Sequence, residues 1–162
     1  MRKLIVLASF ICLFSGLALA GASRVEIFGG GQYLHLDPNF NLKGWNAAVT
    51  GNVKGWLGIT LDSSGSYDAG LKFHTIAVGP ELRANLPLIK PFVHGLVGGA
   101  RSSGGGVSAD GFVGMVGGGL DCGGGMFAFR LIQADWIATR FSDFTNKSNK
   151  NFRGSAGIVI RF

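Results

Sequence analysis

Beyond residue 22 the sequence has no apolar run of about 20 residues, the length a membrane-crossing helix requires, and no sustained 3.6-residue periodicity. Charged residues are sparse, at 15%. The basic ones are scattered rather than clustered, which argues against nucleic acid as a partner. Of the two cysteines, Cys12 lies in the apolar N-terminal run, so only Cys122 remains beyond it. One cysteine can neither staple its own chain nor make a zinc site. His35, His74 and His94 have no short ligand spacing, and none has a serine and an acid placed for nucleophilic catalysis. The glycine runs at 29–31, 104–106, 117–119 and 123–125 lack the Lys-Ser/Thr of a phosphate loop. No cofactor, metal or catalytic residue is expected, and the chain is not read as an enzyme.

The N-terminus has a recognisable design. Arg2 and Lys3 precede an apolar run from Leu4 to Ala20 that ends in Ala18-Leu19-Ala20. This order is that of a secretory signal peptide, residues 1–20, with a second possible cut after Ala22. Its removal leaves thirteen basic residues against nine acids, a net charge of +4. The remaining residues, 21–162, suit a single exported domain held without disulfides.

What fills that domain is alternation with a period of two. Trp45, Ala47, Val49, Gly51 and Val53 alternate with Asn46, Ala48, Thr50 and Asn52. Leu57, Ile59 and Leu61 alternate with Thr60, Asp62 and Ser64, and Ile76, Val78, Pro80 and Leu82 with Thr75, Ala77, Gly79, Glu81 and Arg83. At the end, Phe152, Gly154, Ala156, Ile158, Ile160 and Phe162 oppose Asn151, Arg153, Ser155, Gly157, Val159 and Arg161. Successive residues of a strand point to opposite faces, so each segment has one apolar and one polar side. Arg24–His35, Phe92–Arg101, Phe112–Asp121 and Met126–Phe141 complete eight strands, although Phe92–Arg101 alternates too poorly for its faces to be assigned. Longer connectors (Asp37–Lys43, Asp68–Lys72, Ser102–Asp110, Ser142–Lys150) alternate with tight ones, the rhythm of an up-and-down meander. Closing it into a barrel removes the two raw edges.

Alternation alone leaves the inside and outside unassigned. A soluble barrel is apolar within, and a membrane barrel is apolar without. Three features favour the second. The polar parity mixes acids and bases, so ion pairs across a narrow lumen are feasible: Arg83, Arg130, Arg153 and Arg161 against Glu26, Asp62, Glu81 and Asp135. Of the six lysines after Lys3, Lys43, Lys54, Lys147 and Lys150 fall in expected loops or turns. Aromatics, including Tyr33, Trp45, Trp56, Tyr67 and Trp136, gather near strand ends, as girdles at two bilayer interfaces do. One conflict remains, because Arg130 has even parity and Gln133 and Asp135 odd. Either a bulge shifts the parity between them, or Asp135 lies at the outer interface, or a charge faces lipid at a cost of about 2–4 kcal/mol for a basic residue at mid-bilayer.

These residues, with FAFRLIQADWIATRF from Phe127 to Phe141 and the ending AGIVIRF, resemble the small bacterial outer-membrane β-barrels, the OmpA-like and OmpX-like eight-strand group. The resemblance covers the whole chain after the signal. It implies an eight-stranded antiparallel up-and-down transmembrane β-barrel in the outer membrane, with periplasmic termini. It also implies that Ile158, Ile160 and Phe162 form the signal read by the barrel-insertion machinery, which acts with periplasmic chaperones. Outer-membrane lipid is the main partner, and the barrel is expected to be monomeric. No peptidoglycan-binding domain is expected after the barrel. The family has no single activity; the role expected here is envelope structure or surface interaction around a lumen plugged by polar side chains. The rival is an exported, soluble, lipocalin-like barrel holding an apolar ligand. A narrow pore and a lipid-modifying barrel enzyme are further alternatives.

Overall fold

Period-two alternation becomes the two surfaces of one closed sheet. The structure, a computed structural model, describes residues 25–36, 40–68, 70–104, 107–123, 125–141 and 149–162. Eight strands follow in order: β1 (Val25–Leu36), β2 (Phe40–Lys54), β3 (Leu57–Asp68), β4 (Leu71–Arg83), β5 (Ile89–Gly104), β6 (Val107–Cys122), β7 (Phe127–Phe141) and β8 (Asn149–Arg161). Each pairs antiparallel with its neighbour in sequence, and β8 returns to β1, so no edge is left open. The closing seam sets Glu26 opposite Arg161, Ile27 opposite Ile160 and Gly29 opposite Ile158. No helix among the described residues is long and apolar enough to cross a membrane, a test that does not bear on strands. The expected signal peptide and residues 142–148 of the last connector lie outside the described residues.

Three of the longer connectors are shorter than the sequence suggests. β2 already begins at Phe40, β3 and β4 meet across Asp68 and Leu71, and β5 and β6 extend to Gly104 and Val107. The ladder continues through polar pairs such as Arg101 with Asp110 and Ser103 with Ser108. Backbone pairing does not need apolar side chains once the strands have risen above the greasy band, so polar composition there is not a loop signal. Lys43 and Lys54, expected outside strands, are residues of β2, and Lys150 belongs to β8.

The parity conflict in β7 is resolved by a bulge. The register with β8 steps from Arg130–Gly157 to Gln133–Ser155, and with β6 from Asp121–Arg130 to Leu120–Ile132. Leu131 and Ile132 therefore point outward together, at 57% and 59% exposure, while Arg130, Gln133 and Asp135 all point inward. A second irregularity lies between Asn52 and Lys54 at the end of β2. Pro80 sits inside β4, and the ladder with β5 skips there from Val78–Val97 to Glu81–His94, as a residue without an N–H requires.

The exterior is apolar and the interior is mixed. Ile59, Ile76, Val97, Val116 and Ile158 are exposed on the outside, whereas Asp62 and Arg153 are buried within. β5, whose faces the sequence left open, turns Phe92, His94, Leu96 and Ala100 inward and Val93 and Val97 outward. The interior corrects one expectation, that it is filled by polar groups throughout. At the end far from the termini, Leu34, Leu42, Phe73, Leu96, Val113, Met115 and Ile137 form an apolar cluster. Apolar residues on the polar parity pack there against one another, next to the charged layer, with Leu34 directly opposite Arg153.

Candidate functional site

The remainder of the interior carries the charge, in two layers. Near the chain termini, three arginines meet three acids. Arg83 pairs with Glu26 across the barrel from β4 to β1, and its Nη2 donates to Glu81 at 2.5 Å. Arg130 donates from Nε to Asp121 Oδ1 at 2.8 Å and from Nη1 to Gln133 Oε1 at 2.7 Å. Arg161 donates to Asp121 Oδ2 at 3.2 Å and lies 3.4 Å from Glu26. Asp121 is thus shared by Arg130 and Arg161, with Arg83 at 3.8 Å. The guanidinium of Arg130 also lies between two rings, 4.4 Å from the centre of Phe28 and 4.1 Å from that of Phe92. A planar delocalised cation suits this stacking, which lysine could not reproduce.

The middle layer is built on Arg153 of β8. It forks onto Asp62 of β3, with Nη1 to Oδ1 at 2.8 Å and Nη2 to Oδ2 at 3.1 Å. Its Nε donates to Asp135 Oδ2 at 2.8 Å. β3 and β8 are not neighbours in the barrel, so this bridge spans the interior. Asn46 supports Asp62 at 2.8 Å, and Gln133 supports Asp135 at 2.8 Å. His94 Nε2 lies 2.7 Å from Asp135 Oδ1. Between the layers run hydroxyl contacts, Thr50 with Thr60 at 2.8 Å and Thr60 to Glu81 at 3.0 Å. Gly117 leaves space for this arrangement, since a Cβ there would stand 2.0 Å from Asp135 Oδ1.

The structure therefore brings Glu26, Glu81, Arg83, Arg130 and Arg161 into one cluster and Asp62, Asp135 and Arg153 into another, all buried. The sequence reading missed Asp121, His94 and the aromatic sandwich. Asp121 was legible in principle, because it shares the parity of Val113 and Met115, but it stands just before the glycine run 123–125. His94 and Asp135 make a buried acid–histidine contact, with side-chain exposures of 2% and 0%. No group of three or more metal-ligating side chains stands together among the described residues. Cys122 is a free thiol, half-buried at the end of β6.

On the exterior, Tyr33, Trp45, Tyr67 and Trp136 lie towards the far end, and Trp56 lies at the terminal end with Phe127 and Phe162. Trp45, Tyr67 and His74 gather over Gly65, where a Cβ would stand 2.8 Å from Trp45 Nε1, 3.0 Å from Tyr67 Oη and 3.1 Å from His74 Cε1. Ile158 and Phe162 point outward and Ile160 is half-buried on the same face, while the backbone of Phe162 donates to Val25 O at 2.9 Å.

No protein-family model matches the chain, and no curated protein matches it in sequence. Solved structures do. The N-terminal β-barrel domain of Pseudomonas aeruginosa OprF is 11% identical, with a TM-score of 0.61 over 86% of this chain and 98% of that one. Neisserial surface protein A is 15% identical, with a TM-score of 0.60 over 86% and 96%. Ail, the attachment invasion locus protein of Yersinia pestis, in complex with the heparin analogue sucrose octasulfate, is 17% identical, with a TM-score of 0.56 over 86% and 99%. Geometry and likeness together establish the architecture: the chain is an eight-stranded antiparallel up-and-down barrel with the fold of the small outer-membrane barrels.

Proposed function

We propose that the chain is a monomeric integral protein of the bacterial outer membrane, exported by residues 1–20, with a lumen closed to solutes. Its role is structural or one of surface interaction. The observation that carries this reading is the inversion of polarity. Burying Arg153, Asp62 and Asp135 inside while leaving Ile59, Val97, Val116 and Ile158 outside is unfavourable in water and favourable in a bilayer. The same inversion counts against a lipocalin-like binder, whose interior would hold an apolar ligand. The bridges from Arg153 to Asp62 and from Arg83 to Glu26, together with the apolar cluster at the far end, support a plugged lumen rather than a pore.

Periplasmic termini are what the resemblance to the small outer-membrane barrels implies, and we carry that orientation over to this chain. The insertion machinery and chaperones then act on Ile158, Ile160 and Phe162 during assembly. Surface contacts fall to the far-end hairpins, where Lys43, Lys72 and Arg101 are exposed. Ail, which shares the fold, is an attachment invasion locus protein seen with a sulfated heparin analogue. Fractionation of cells expressing the full chain, followed by gel migration with and without boiling, tests the reading. An outer-membrane band whose migration changes on heating supports it, and a soluble periplasmic protein overturns it.

A further inference from the structure

One side of the far end concentrates cations on the lipid-facing parity. In register across β2, β3 and β4, Lys43 stands opposite Tyr67, and Tyr67 opposite Lys72. The next outward row is Trp45, Gly65, His74 and Arg101. Below it the exterior of β4 turns apolar, through Ile76 and Val78. Lys43 and Lys72 are exposed and have no ion pair among the described residues, whereas Arg101 pairs with Asp110 at 3.4 Å. Asp68, the last residue of β3, has the inward parity of Ser66. Among the described residues, the outward charges here are therefore Lys43, Lys72 and Arg101 against Asp110, an excess of two positive charges. Tyr67 and His74 meet edge to face, with ring centres 5.4 Å apart. Beside them a groove of about 370 Å³ opens on the exterior, its lining including Ser63, His74, Ile76, Gly99, Arg101 and Asp110.

We propose that this face holds a phospholipid by a phosphomonoester headgroup between Lys43 and Lys72, with an acyl chain in the groove beside Ile76. The inference rests on the membrane reading above and gives the lipid a defined seat. Tryptophan and tyrosine rings settle at headgroup level, so cations one row above Trp45 on the same outward parity stand where lipid phosphates lie. Their stems run along the apolar wall while the ammonium groups stay in the polar zone. Lys43 and Lys72 are two strands apart, about 9.5 Å at the backbone, and flexible stems can converge on one group over Tyr67. Two excess charges match a phosphomonoester, about −1.5 to −2 at neutral pH, better than the single charge of a phosphodiester. Gly99 lies between Ile76 and Phe112 in register, so the wall has a gap there in which a chain can lie.

The test uses the full barrel carrying Trp56→Phe and Trp136→Phe, so that Trp45 is the one tryptophan left. It is refolded into phosphatidylcholine vesicles at about pH 8, where a phosphomonoester is a dianion. Quenching of Trp45 is compared for phosphatidic acid, phosphatidylglycerol and phosphatidylcholine, each brominated on its acyl chain near the headgroup. Phosphatidic acid should be enriched at Trp45 over phosphatidylcholine by about tenfold, with phosphatidylglycerol in between. Lys43→Gln/Lys72→Gln should remove most of that enrichment. Lys54→Gln, at the opposite end of β2, should leave it unchanged. If the double variant does not fold, each single variant replaces it, with a loss of about threefold expected from either. Equal quenching by all three lipids, or an equal loss in Lys54→Gln, overturns the proposal while leaving the membrane reading standing. No quenching by any brominated lipid overturns the membrane reading itself. Saturable binding of a soluble sulfated oligosaccharide at the same two lysines, without a lipid preference, assigns the face to a soluble polyanion and overturns the proposal too.

Discussion

Replacing Arg153 with methionine isolates the central ion bridge. Methionine preserves much of the volume but removes every donor. In the folded protein Arg153 is fully buried and neutralises two carboxylates, Asp62 by a fork at 2.8 and 3.1 Å and Asp135 at 2.8 Å. Removing one partner of a buried pair costs about 3–5 kcal/mol, because the other charge is left uncompensated. Asp62 keeps only Asn46 as a side-chain donor, while Asp135 keeps Gln133 and His94. Asp62 should therefore account for most of the loss. The assay is reversible urea unfolding in lipid vesicles, followed by tryptophan fluorescence and by gel mobility. Arg153→Met should be destabilised by about 3–5 kcal/mol. Adding Asp62→Asn should recover a large part of it, and adding Asp135→Asn most of the rest, since the carboxylates are then neutral. A single variant as stable as the unsubstituted protein, or a triple variant worse than the single, would refute the reasoning.

Arg130→Lys keeps the charge but loses the fork onto Asp121 and the stacking between Phe28 and Phe92, so stability in the same assay should fall by about 2 kcal/mol or more. Deleting Leu131 removes the bulge and leaves Arg130 and Gln133 inward and Ile132 outward, so the barrel should still fold. Deleting Ile59 from the regular strand β3 inverts one half of that strand and should abolish folding, as gel mobility will show. Deleting Phe162 should lower the amount of folded protein in the outer membrane of cells, while refolding in detergent persists because only one seam bond, to Val25 O, is lost.

The faces of β2, β3, β4 and β8 were legible because one side is apolar and the register cannot slip without inverting it. In β5 the glycines at 95, 98 and 99 break the contrast, so the inward positions of Phe92 and His94 appear only once β4 and β6 fix the register. The Arg130 sandwich joins β1, β5 and β7, three strands whose relation along the chain carries no local signal. Asp121 ends the strand expected from the sequence, and β6 continues one residue further to Cys122, but the arginines that meet Asp121 come from β4, β7 and β8 and leave no local signal. The apolar cluster at the far end was hidden for a different reason. Leu34, Leu42 and Met115 sit on the inward parity, and period-two patterning assigns a face without saying what a neighbouring layer supplies.

Which set of side chains touches lipid decides whether this barrel belongs in a membrane. Nitroxide labels at Ile59→Cys, Val97→Cys and Ile158→Cys, with others at Thr50→Cys and Thr75→Cys, measure this directly in phospholipid vesicles. The first three should collide readily with oxygen dissolved in the acyl region and little with a water-soluble nickel complex, and the other two should be immobile and shielded from both. Oxygen-shielded, immobile labels at Ile59, Val97 and Ile158, with lipid or water reaching Thr50 and Thr75, would contradict it.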